Sequence, residues 1–193
     1  MGKQAIIGVV SDTHGSLPDS VLEVFSGRYD NVEVVAEFYL DGTNEDLPTP
    51  RKVDCIVHAG DIGELTPLSQ DVIDKLEQVA PVHAVLGNRD VEGYTAGGTP
   101  LSWQPCRFEA CGVEAIVIHK PEDLRVVLKR IREQPRLQIY GHTHEFKLRR
   151  IGNRLMMCPG AIQRPKGDWP VRTVGLVFLE EPGKIIGAQI LKV

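Results

Sequence analysis

Five short apolar stretches of this sequence lead directly into side chains that can bind a metal ion. An apolar run bounded by glycine indicates a buried strand, and open α/β sheets bind their ligands at the carboxyl ends of the strands. The side chains at these ends are Asp12 and His14, Asp61, Asn88, His119, and His142 and His144. We interpret these seven imidazole, carboxylate and amide groups, which come from five separate places, as one site.

The types of donor indicate what such a site could do. Oxygen and imidazole donors without a cage of thiolates suit divalent cations that stay open to a substrate. Two such cations about 3.5–4 Å apart can hold a phosphoryl group, lower the pKa of a water between them and offset charge on the attacking and leaving oxygens. One carboxylate must bridge the two cations. The sequence presents the complete donor set.

Each of these residues has a structural alternative when it is taken alone. Asp12 and Asp61 could be loop or helix-capping residues, and Asn88 could belong to a simple turn. His119 is the weakest candidate, because a single histidine at a strand end is more often a hydrogen-bonded structural residue. His58 could orient a metal ligand through its ring nitrogen, or it could be a core histidine with satisfied hydrogen bonds.

The order of the candidate blocks along the chain resembles that of the calcineurin-like metallophosphoesterase superfamily. The matching blocks are Asp12-Thr13-His14, Gly60-Asp61, Gly87-Asn88, His119 and Gly141-His142-Thr143-His144. The small size, residues 11–15 at the start and residues 157–160 after the histidine pair make the chain most similar to the small bacterial and archaeal phosphodiesterase branch. Any single block would be weak, but the ordered set is specific.

The resemblance implies a fold, a metal centre and a set of ligands. The implied fold is a four-layer α/β/β/α sandwich of two mixed sheets with outer helices. The implied cofactors are two divalent metal ions, with manganese the commonest in the family, although iron, nickel, cobalt and zinc suit the same donors. The ligands would be Asp12, His14 and His144 for one metal, Asn88, His119 and His142 for the other, and Asp61 for both.

The implied reaction is the hydrolysis of small phosphodiesters by a hydroxide that bridges the two metals. The residues to which we assign catalytic roles are Asp61, Asn88, Arg89 and His142. Arg89 departs from the pattern, because many members carry a histidine there that can protonate the leaving group. Arginine stays charged at neutral pH and cannot act as a general acid. Phosphomonoesters with poor leaving groups are therefore less expected as substrates.

Two roles for Arg89 remain open from the sequence. Its guanidinium could hold a phosphate oxygen and stabilise charge in the transition state. It could instead form an ion pair with Asp90 or another nearby acid, and such exposed pairs are common and weak.

The elements that must position these residues can be predicted from periodicity. Alternating strand and helix signals in the first half predict parallel strands with right-handed crossovers. Helices are expected after Pro18, from Thr66-Pro67 to Pro81, and roughly over residues 122–133. Residues 92–105 are rich in glycine and proline and are predicted to be a loop. Hairpins are expected in the second half, with turns at residues 111–112, 152–153 and 182–183.

Residues 31–52 are the least regular part of the chain, and we predict an insertion there. It contains β-forming residues followed by an acidic, proline-broken segment, so an edge strand or hairpin and a plain solvated loop are both compatible with it. The insertion also supports an alternative function. The superfamily includes a retromer scaffold subunit that uses the fold for protein contacts, and this segment could be a partner surface.

Length and composition bound the remaining choices. A chain of 193 residues is expected to form a single domain. The net charge of −4 argues against binding of long nucleic acid, which usually requires a basic face. No signal peptide or apolar run of about 20 residues is evident, so we expect a cytoplasmic protein that does not bind membranes. The expected partner is a small phosphoester substrate. The sequence leaves the oligomeric state open, and a homo-oligomer is possible. The cysteines Cys55, Cys106, Cys111 and Cys158 are predicted to be free structural thiols.

Overall fold

A computed structural model describes residues 2–30, 32–39, 47–48, 51–64, 70–167 and 170–193. In chain order, its elements are β1 (Gln4–Val10), α1 (Asp19–Phe25), β2 (Glu33–Tyr39), β3 (Cys55–His58), α2 (Gln70–Glu77), β4 (Val82–Ala84), β5 (Thr95–Ala96), β6 (Thr99–Pro100), β7 (Cys106–Ala110), β8 (Val113–Ile118), α3 (Pro121–Arg130), β9 (Leu137–Tyr140), β10 (Phe146–Ile151), β11 (Arg154–Pro159), β12 (Thr173–Glu180) and β13 (Lys184–Lys192).

Two mixed sheets form the body of the protein. The first has the strand order β2-β13-β12-β1-β3-β4, and the second has the order β10-β11-β9-β8-β7. β1, β3 and β4 pair in parallel, as do β8, β9 and β11. The hairpins β7–β8, β10–β11 and β12–β13 are antiparallel. The predicted parallel first half and hairpin-rich second half are therefore confirmed.

Three clusters of buried side chains define four layers. Successive residues of β1 point to opposite faces of the first sheet, so Ile6 packs with α1 and α2 while Ile7 packs toward the second sheet. In β8, Val117 faces the first sheet and Ile116 faces the helix α3. The central cluster between the sheets and the two outer clusters under the helices give the predicted α/β/β/α order. Strands buried on both faces explain why these segments read as continuous apolar runs.

The helices whose starts are described begin close to the predicted residues, but two helices end earlier than predicted. α2 stops at Glu77 and not at Pro81. α1 follows Pro18 and stops before Gly27, and Pro121 opens α3. Residues 65–69, which include the predicted start of the second helix, lie outside the described residues. α3 ends at Arg130 and not near residue 133, because Ile131 adopts extended dihedral angles of −97° and 125°. The carbonyl of Leu128, which has no partner within the helix because the helix ends, accepts a hydrogen bond from the side chain of Gln134 (3.0 Å).

Two strand predictions need correction. β4 stops at Ala84, whereas the apolar run continues to Leu86, because the backbone N–H of Leu86 donates to the carbonyl of Ser102 (2.9 Å) in place of a sheet partner. Residues 92–105 are not entirely loop, since β5 and β6 form a small hairpin within them. Gly97 and Gly98 turn this hairpin with φ values of 55° and 74°, the conformation of a tight two-residue turn.

The predicted insertion contains an edge strand. β2 pairs with β13 in antiparallel fashion and forms one edge of the first sheet. Of the two alternatives that the sequence left open, the edge strand is correct for residues 33–39. Residues 31, 40–46 and 49–50 of the same segment lie outside the described residues.

Candidate metal centre

The ends of four strands and the segment after β4 converge on one place. The loops after β1 and β3 run side by side, because the N–H of Asp12 donates to the carbonyl of Gly60 and the N–H of His14 donates to the carbonyl of Asp61, both at 3.0 Å. The N–H of Gly141, after β9, donates to the carbonyl of His119, after β8 (3.0 Å). These bonds tie neighbouring strand ends together and bring the seven predicted residues to the same edge of the molecule.

The backbone of the candidate residues adopts an unusual conformation. Among the described residues that are not glycine, seven have a positive φ, and five of them are candidate ligands. These five are Asp12 (53°), His14 (46°), Asp61 (53°), His142 (69°) and His144 (60°). The left-handed conformation is costly for residues with a side chain, and such residues cluster at functional sites. It turns the chain sharply out of each strand, so that successive candidates can face a common centre.

Two glycines make room for the carboxylates. A Cβ atom on Gly141 would lie 2.0 Å from Oγ of Ser11 and 3.0 Å from Oδ2 of Asp12. A Cβ atom on Gly87 would lie 2.1 Å from Oδ1 of Asp61. Real Cβ atoms do not approach so closely, so glycine is required at both positions for the carboxylates to occupy their places.

One group of candidates lies within bonding distance of a single point. The ligand atoms of Asp12, His14, Asp61 and His144 all lie within 4.8 Å of one another. Nε2 of His144 is 3.2 Å from Oδ1 of Asp12 and 3.4 Å from Nε2 of His14, and Nε2 of His14 is 4.0 Å from Oδ2 of Asp61. This is the first of the two ligand sets that the family resemblance implies.

The second set lies on the other side of Asp61. Nε2 of His119 is 3.3 Å from Oδ1 of Asp61 and 3.1 Å from Oδ1 of Asn88. The ring of His142 lies against that of His119, with a centroid separation of 5.1 Å in an edge-to-face arrangement. His142 is also fixed through its backbone, since its N–H donates to Oδ2 of Asp12 (3.1 Å). All seven candidates are therefore brought together.

The hydrogen bonds of the site orient ring nitrogen atoms toward the place where a cation would bind. Nδ1–H of His119 donates to the carbonyl of Ala59 (2.8 Å), and Nδ1–H of His144 donates to the carbonyl of Arg164 (2.8 Å). In neutral rings, Nε2 then carries a lone pair, and in His144 it faces a carboxylate oxygen of Asp12 that has no hydrogen-bond partner. Lone pairs that face one another at such distances are stabilised by a cation between them. The donor set of imidazole nitrogens and carboxylate or amide oxygens fits divalent metal ions.

The pKa values reflect the same arrangement. Burial alone would lower the pKa of His119, but the hydrogen bond and the negative charge of Asp61 outweigh it, and the net pKa is raised. In the protonated ring, Nε2–H of His144 can donate to Oδ1 of Asp12, and this interaction raises the pKa of His144. Burial would raise the pKa of Asp61, yet its contact with His119 keeps it below the ordinary value. Carboxylates and imidazoles thus stabilise each other's charged forms around the centre.

His58 supports the site from behind without entering it. This fully buried ring accepts a hydrogen bond at Nδ1 from the N–H of Gly60 (3.2 Å), so Nε2–H donates to the hydroxyl of Thr13 (2.9 Å). The hydroxyl of Thr13 in turn donates to the carbonyl of Ile62 (2.9 Å). Burial lowers the pKa of His58 to about 4, which keeps the ring neutral. Of the two roles that the sequence left open, that of a core histidine with satisfied hydrogen bonds is correct, and it joins the Asp12 loop to the Asp61 loop.

Arg89 is placed beside the carboxylate of Asp61. Its backbone N–H donates to Oδ1 of Asp61 (2.8 Å). The neighbouring Asp90 turns away and accepts the N–H groups of Gly63 (2.8 Å) and Gly87 (2.7 Å). Among the described residues, the Arg89 guanidinium forms no ion pair, and its Nε is buried without a hydrogen-bond partner. The ion pair between Arg89 and Asp90, one of the two alternatives, is therefore not formed.

Three residues at the rim were not anticipated from the sequence. Glu64 approaches His14, with Oε1 3.8 Å from Nδ1, and the guanidinium of Arg164 reaches the same oxygen (2.8 Å). The indole N–H of Trp103 donates to the carbonyl of Gly87 (3.0 Å). None of the three lies in a recognisable motif, and each reaches the site from a loop whose path the sequence does not reveal.

The fold and this arrangement define a class of protein. The calcineurin-like phosphoesterase superfamily domain matches residues 6–181, and the chain belongs to this metal-dependent superfamily.

None of the helices that the structure describes has the length and apolar character needed to span a bilayer. All four cysteines are free, and Cys55 and Cys158 are buried.

Individual relatives extend over nearly the whole chain. A probable metallophosphoesterase from Methanothermobacter thermautotrophicus is 25% identical over 189 residues, which cover 97% of this chain and 92% of the relative. The structure of an archaeal phosphodiesterase aligns with 18% identity and a TM-score of 0.56, covering 95% of this chain and 99% of the other. Vps29 from Entamoeba histolytica, complexed with zinc, aligns with 16% identity and a TM-score of 0.59, covering 96% and 98%. The two structural likenesses concern the fold.

Proposed function

We propose that this protein, a single domain over residues 1–193, is a dinuclear metal-dependent phosphodiesterase that hydrolyses small phosphodiesters. The observation that carries the proposal is the position of Asp61 between two sets of donors. Its Oδ1 faces His119 at 3.3 Å and its Oδ2 faces His14 at 4.0 Å. A carboxylate with one oxygen toward each set is what a bridging ligand requires.

In this proposal the ligand sets are those implied by the family resemblance. The first metal is held by Asp12, His14, Asp61 and His144, and the second by Asp61, Asn88, His119 and His142. When bound, the two ions would lower the pKa of a water and offset negative charge on the phosphoryl oxygens. The hydrogen bonds from His119 to Ala59 and from His144 to Arg164 hold the rings in the tautomer that presents Nε2 to the ions.

Arg89 favours diesters over monoesters as substrates. It lies next to Asn88, its guanidinium is not engaged by a described acid, and it can hold a phosphate oxygen through two parallel hydrogen bonds. Since arginine cannot donate a proton to the leaving group at neutral pH, an aryl diester should react faster than a diester with a sugar hydroxyl as its leaving group, which would take its proton from solvent. His142 completes the site opposite His119 and, as a ligand, would orient the phosphoryl group.

Further support comes from the comparisons. An archaeal phosphodiesterase shares the fold over almost the full length of both chains, and a Vps29 structure with this fold binds zinc. Oxygen and imidazole donors accept several divalent ions. Manganese is the first ion to test, as the family resemblance implies, and iron, nickel, cobalt and zinc suit the same donors. We expect the protein to act in the cytoplasm.

The proposal is tested with an aryl phosphodiester as substrate. The metal-loaded protein should hydrolyse bis(p-nitrophenyl) phosphate, and Asp61→Asn and His142→Ala should each lower kcat by about 100-fold or more, in line with the loss of an electrostatic group at a reaction centre. Asp71→Asn, which removes an exposed carboxylate from α2, is the matched control and should retain the full rate. Equal rates in the wild-type, Asp61→Asn and His142→Ala proteins would disprove the proposal.

A protein-interaction scaffold is the alternative, and β2 is the observation in its favour. Val34 on this strand is 47% exposed. No strand among the described residues pairs with the outer edge of β2, and such an edge can accept a further strand from a partner. A scaffold does not need an intact metal centre, whereas here all seven candidate side chains converge. A partner that binds equally well to the wild-type and Asp61→Asn proteins and loses affinity for Val34→Lys would favour the scaffold.

A further inference from the structure

We propose that a cavity beside the metal centre binds the nucleobase of a small nucleotide diester. This inference rests on the proposed phosphodiesterase activity and names the class of its substrate. The cavity has a volume of about 220 Å³ and shares two residues, Asn88 and His119, with the candidate centre. A substrate whose phosphoryl group lies at the centre would therefore reach the cavity with the group next to it.

The walls of the cavity are apolar and aromatic. Leu86 and Ile118 are only 2% and 5% exposed and form its inner surface. Trp103 lines the cavity from the loop after β6 and is 48% exposed, which is unusual for so large an apolar side chain. A planar, largely apolar group that entered here would cover the indole and remove its surface from water.

Trp103 is held as a rigid surface. Its indole N–H donates to the carbonyl of Gly87 (3.0 Å), and the N–H of Leu86 donates to the carbonyl of the preceding Ser102 (2.9 Å). Two hydrogen bonds thus fix the segment that carries the indole against the segment that carries Asn88. The face of an anchored indole is a suitable surface for stacking a base, because every base has an aromatic face.

The mouth of the cavity carries a donor and an acceptor. Lys120 and Asp123 line it from the start of α3. Within the part of the chain that the structure describes, neither forms an ion pair. A nucleobase combines apolar faces with donors and acceptors along its edge, so it could stack on Trp103 and bond to both charged groups.

The size of the cavity limits the ligand to one base. Sites for drug-sized ligands typically have about 300–1,000 Å³, so about 220 Å³ suits one ring system and not a stacked run of bases. The net charge of −4 also opposes binding of a long polyanion. The expected substrates are therefore mononucleotide or dinucleotide diesters.

The direct test compares two ligands that differ only in the base. Isothermal titration calorimetry on the metal-loaded protein should show adenosine 5′-monophosphate binding at least about fivefold more tightly than ribose 5-phosphate, since base stacking on an aromatic side chain contributes about 1–3 kcal/mol. Trp103→Leu should remove the preference, and Trp103→Phe should keep most of it. Val126→Ala, at an exposed apolar residue of α3 outside the cavity, should behave like the wild type.

The results separate this inference from the proposed function. Equal affinities for the two ligands in the wild-type protein, or a preference that survives in a folded Trp103→Leu variant, would overturn the base pocket. If Trp103→Leu does not fold, the ratio of the two affinities in the wild-type protein and in Trp103→Phe still tests the base pocket. Hydrolysis of the aryl diester without a base preference contradicts only the pocket, whereas a base preference without hydrolysis supports the pocket and contradicts the proposed activity.

Discussion

Oδ1 of Asp61 lies 3.3 Å from Nε2 of His119, whose other ring nitrogen donates to the carbonyl of Ala59. The backbone bond fixes the tautomer, so in the neutral ring a lone pair points at the carboxylate. The pair therefore needs a positive charge between the two atoms. In the metal-free protein a proton on Nε2 supplies this charge, in agreement with the raised pKa of His119, and a metal ion bound there would take its place.

Gly87 tests whether the position of Asp61 is essential. In Gly87→Ala, the new Cβ would lie 2.1 Å from Oδ1 of Asp61, so the carboxylate must move away from its two sets of donors. We expect a loss of metal binding and activity, with a decrease of about 1–3 kcal/mol in the free energy of unfolding from overpacking. Metal titration, kinetics and urea unfolding measure the three effects.

Gly152→Ala is the matched control for this prediction. Gly152 lies in the turn between β10 and β11 with a φ of 64°, and a Cβ atom added to it would have no other atom within 4 Å. The left-handed conformation should cost this variant about 1–2 kcal/mol, without any change in metal binding. If Gly87→Ala loses only stability, as Gly152→Ala should, the placement of Asp61 by Gly87 is refuted.

His58 should make the stability of the metal-free protein depend on pH. Burial lowers its pKa from 6.5 to about 4 in the folded state, so between these values the unfolded chain binds more protons than the folded chain. Stability therefore rises with pH through this window, is complete above about pH 6.5 and is lost as the pH falls toward 4. The gap between 6.5 and about 4 corresponds to about 3 kcal/mol.

Urea unfolding from about pH 4 to about pH 7 checks this prediction in the wild type and in His58→Gln. Glutamine has no titrating group in this range, and its amide can bond to Gly60 and Thr13 in the same way. The difference in the free energy of unfolding between the two proteins should change by about 3 kcal/mol across the window. Parallel curves would show that the ring is not buried as a neutral group.

Arg89 should determine how strongly the rate depends on the leaving group. Arg89→Met should lower kcat/KM for aryl diesters by roughly 10- to 100-fold, because a hydrogen bond to a charged group contributes about 1.5–3 kcal/mol. Arg89→His should supply a general acid and flatten the dependence of the rate on leaving-group pKa. A series of substituted phenyl diesters measures the slope. An unchanged kcat/KM together with lower stability in Arg89→Met would indicate a purely structural role.

The sequence was most informative where a motif and a strand end coincide. The seven candidate side chains, the parallel order of β1, β3 and β4 and the hairpins of the second half follow from short-range patterns. Their convergence depends on the left-handed turns at Asp12, Asp61 and His142. Aspartate and histidine adopt this conformation more often than most residues, but the surrounding hydrogen bonds and packing, and not local propensity alone, impose it at these positions.

The missed features have physical reasons of the same kind. Trp103 lies in a segment rich in glycine and proline, and its place beside the centre becomes visible only in the bond to Gly87 and in the lining of the neighbouring cavity. The pairing of Glu64 with Arg164 joins residues 100 positions apart in the numbering. At the end of α3, the carbonyl of Leu128 accepts a hydrogen bond from the side chain of Gln134. Contacts of this long-range or side-chain type leave no periodic signal in a sequence.

The most direct test is a crystal structure of the protein loaded with manganese, with anomalous diffraction recorded to locate the ions. We expect two anomalous peaks per chain, one beside Asp12, His14 and His144 and the other beside Asn88, His119 and His142, with Asp61 in contact with both. A single peak, or peaks that Asp61 does not share, would contradict the dinuclear centre on which the proposed phosphodiesterase activity depends.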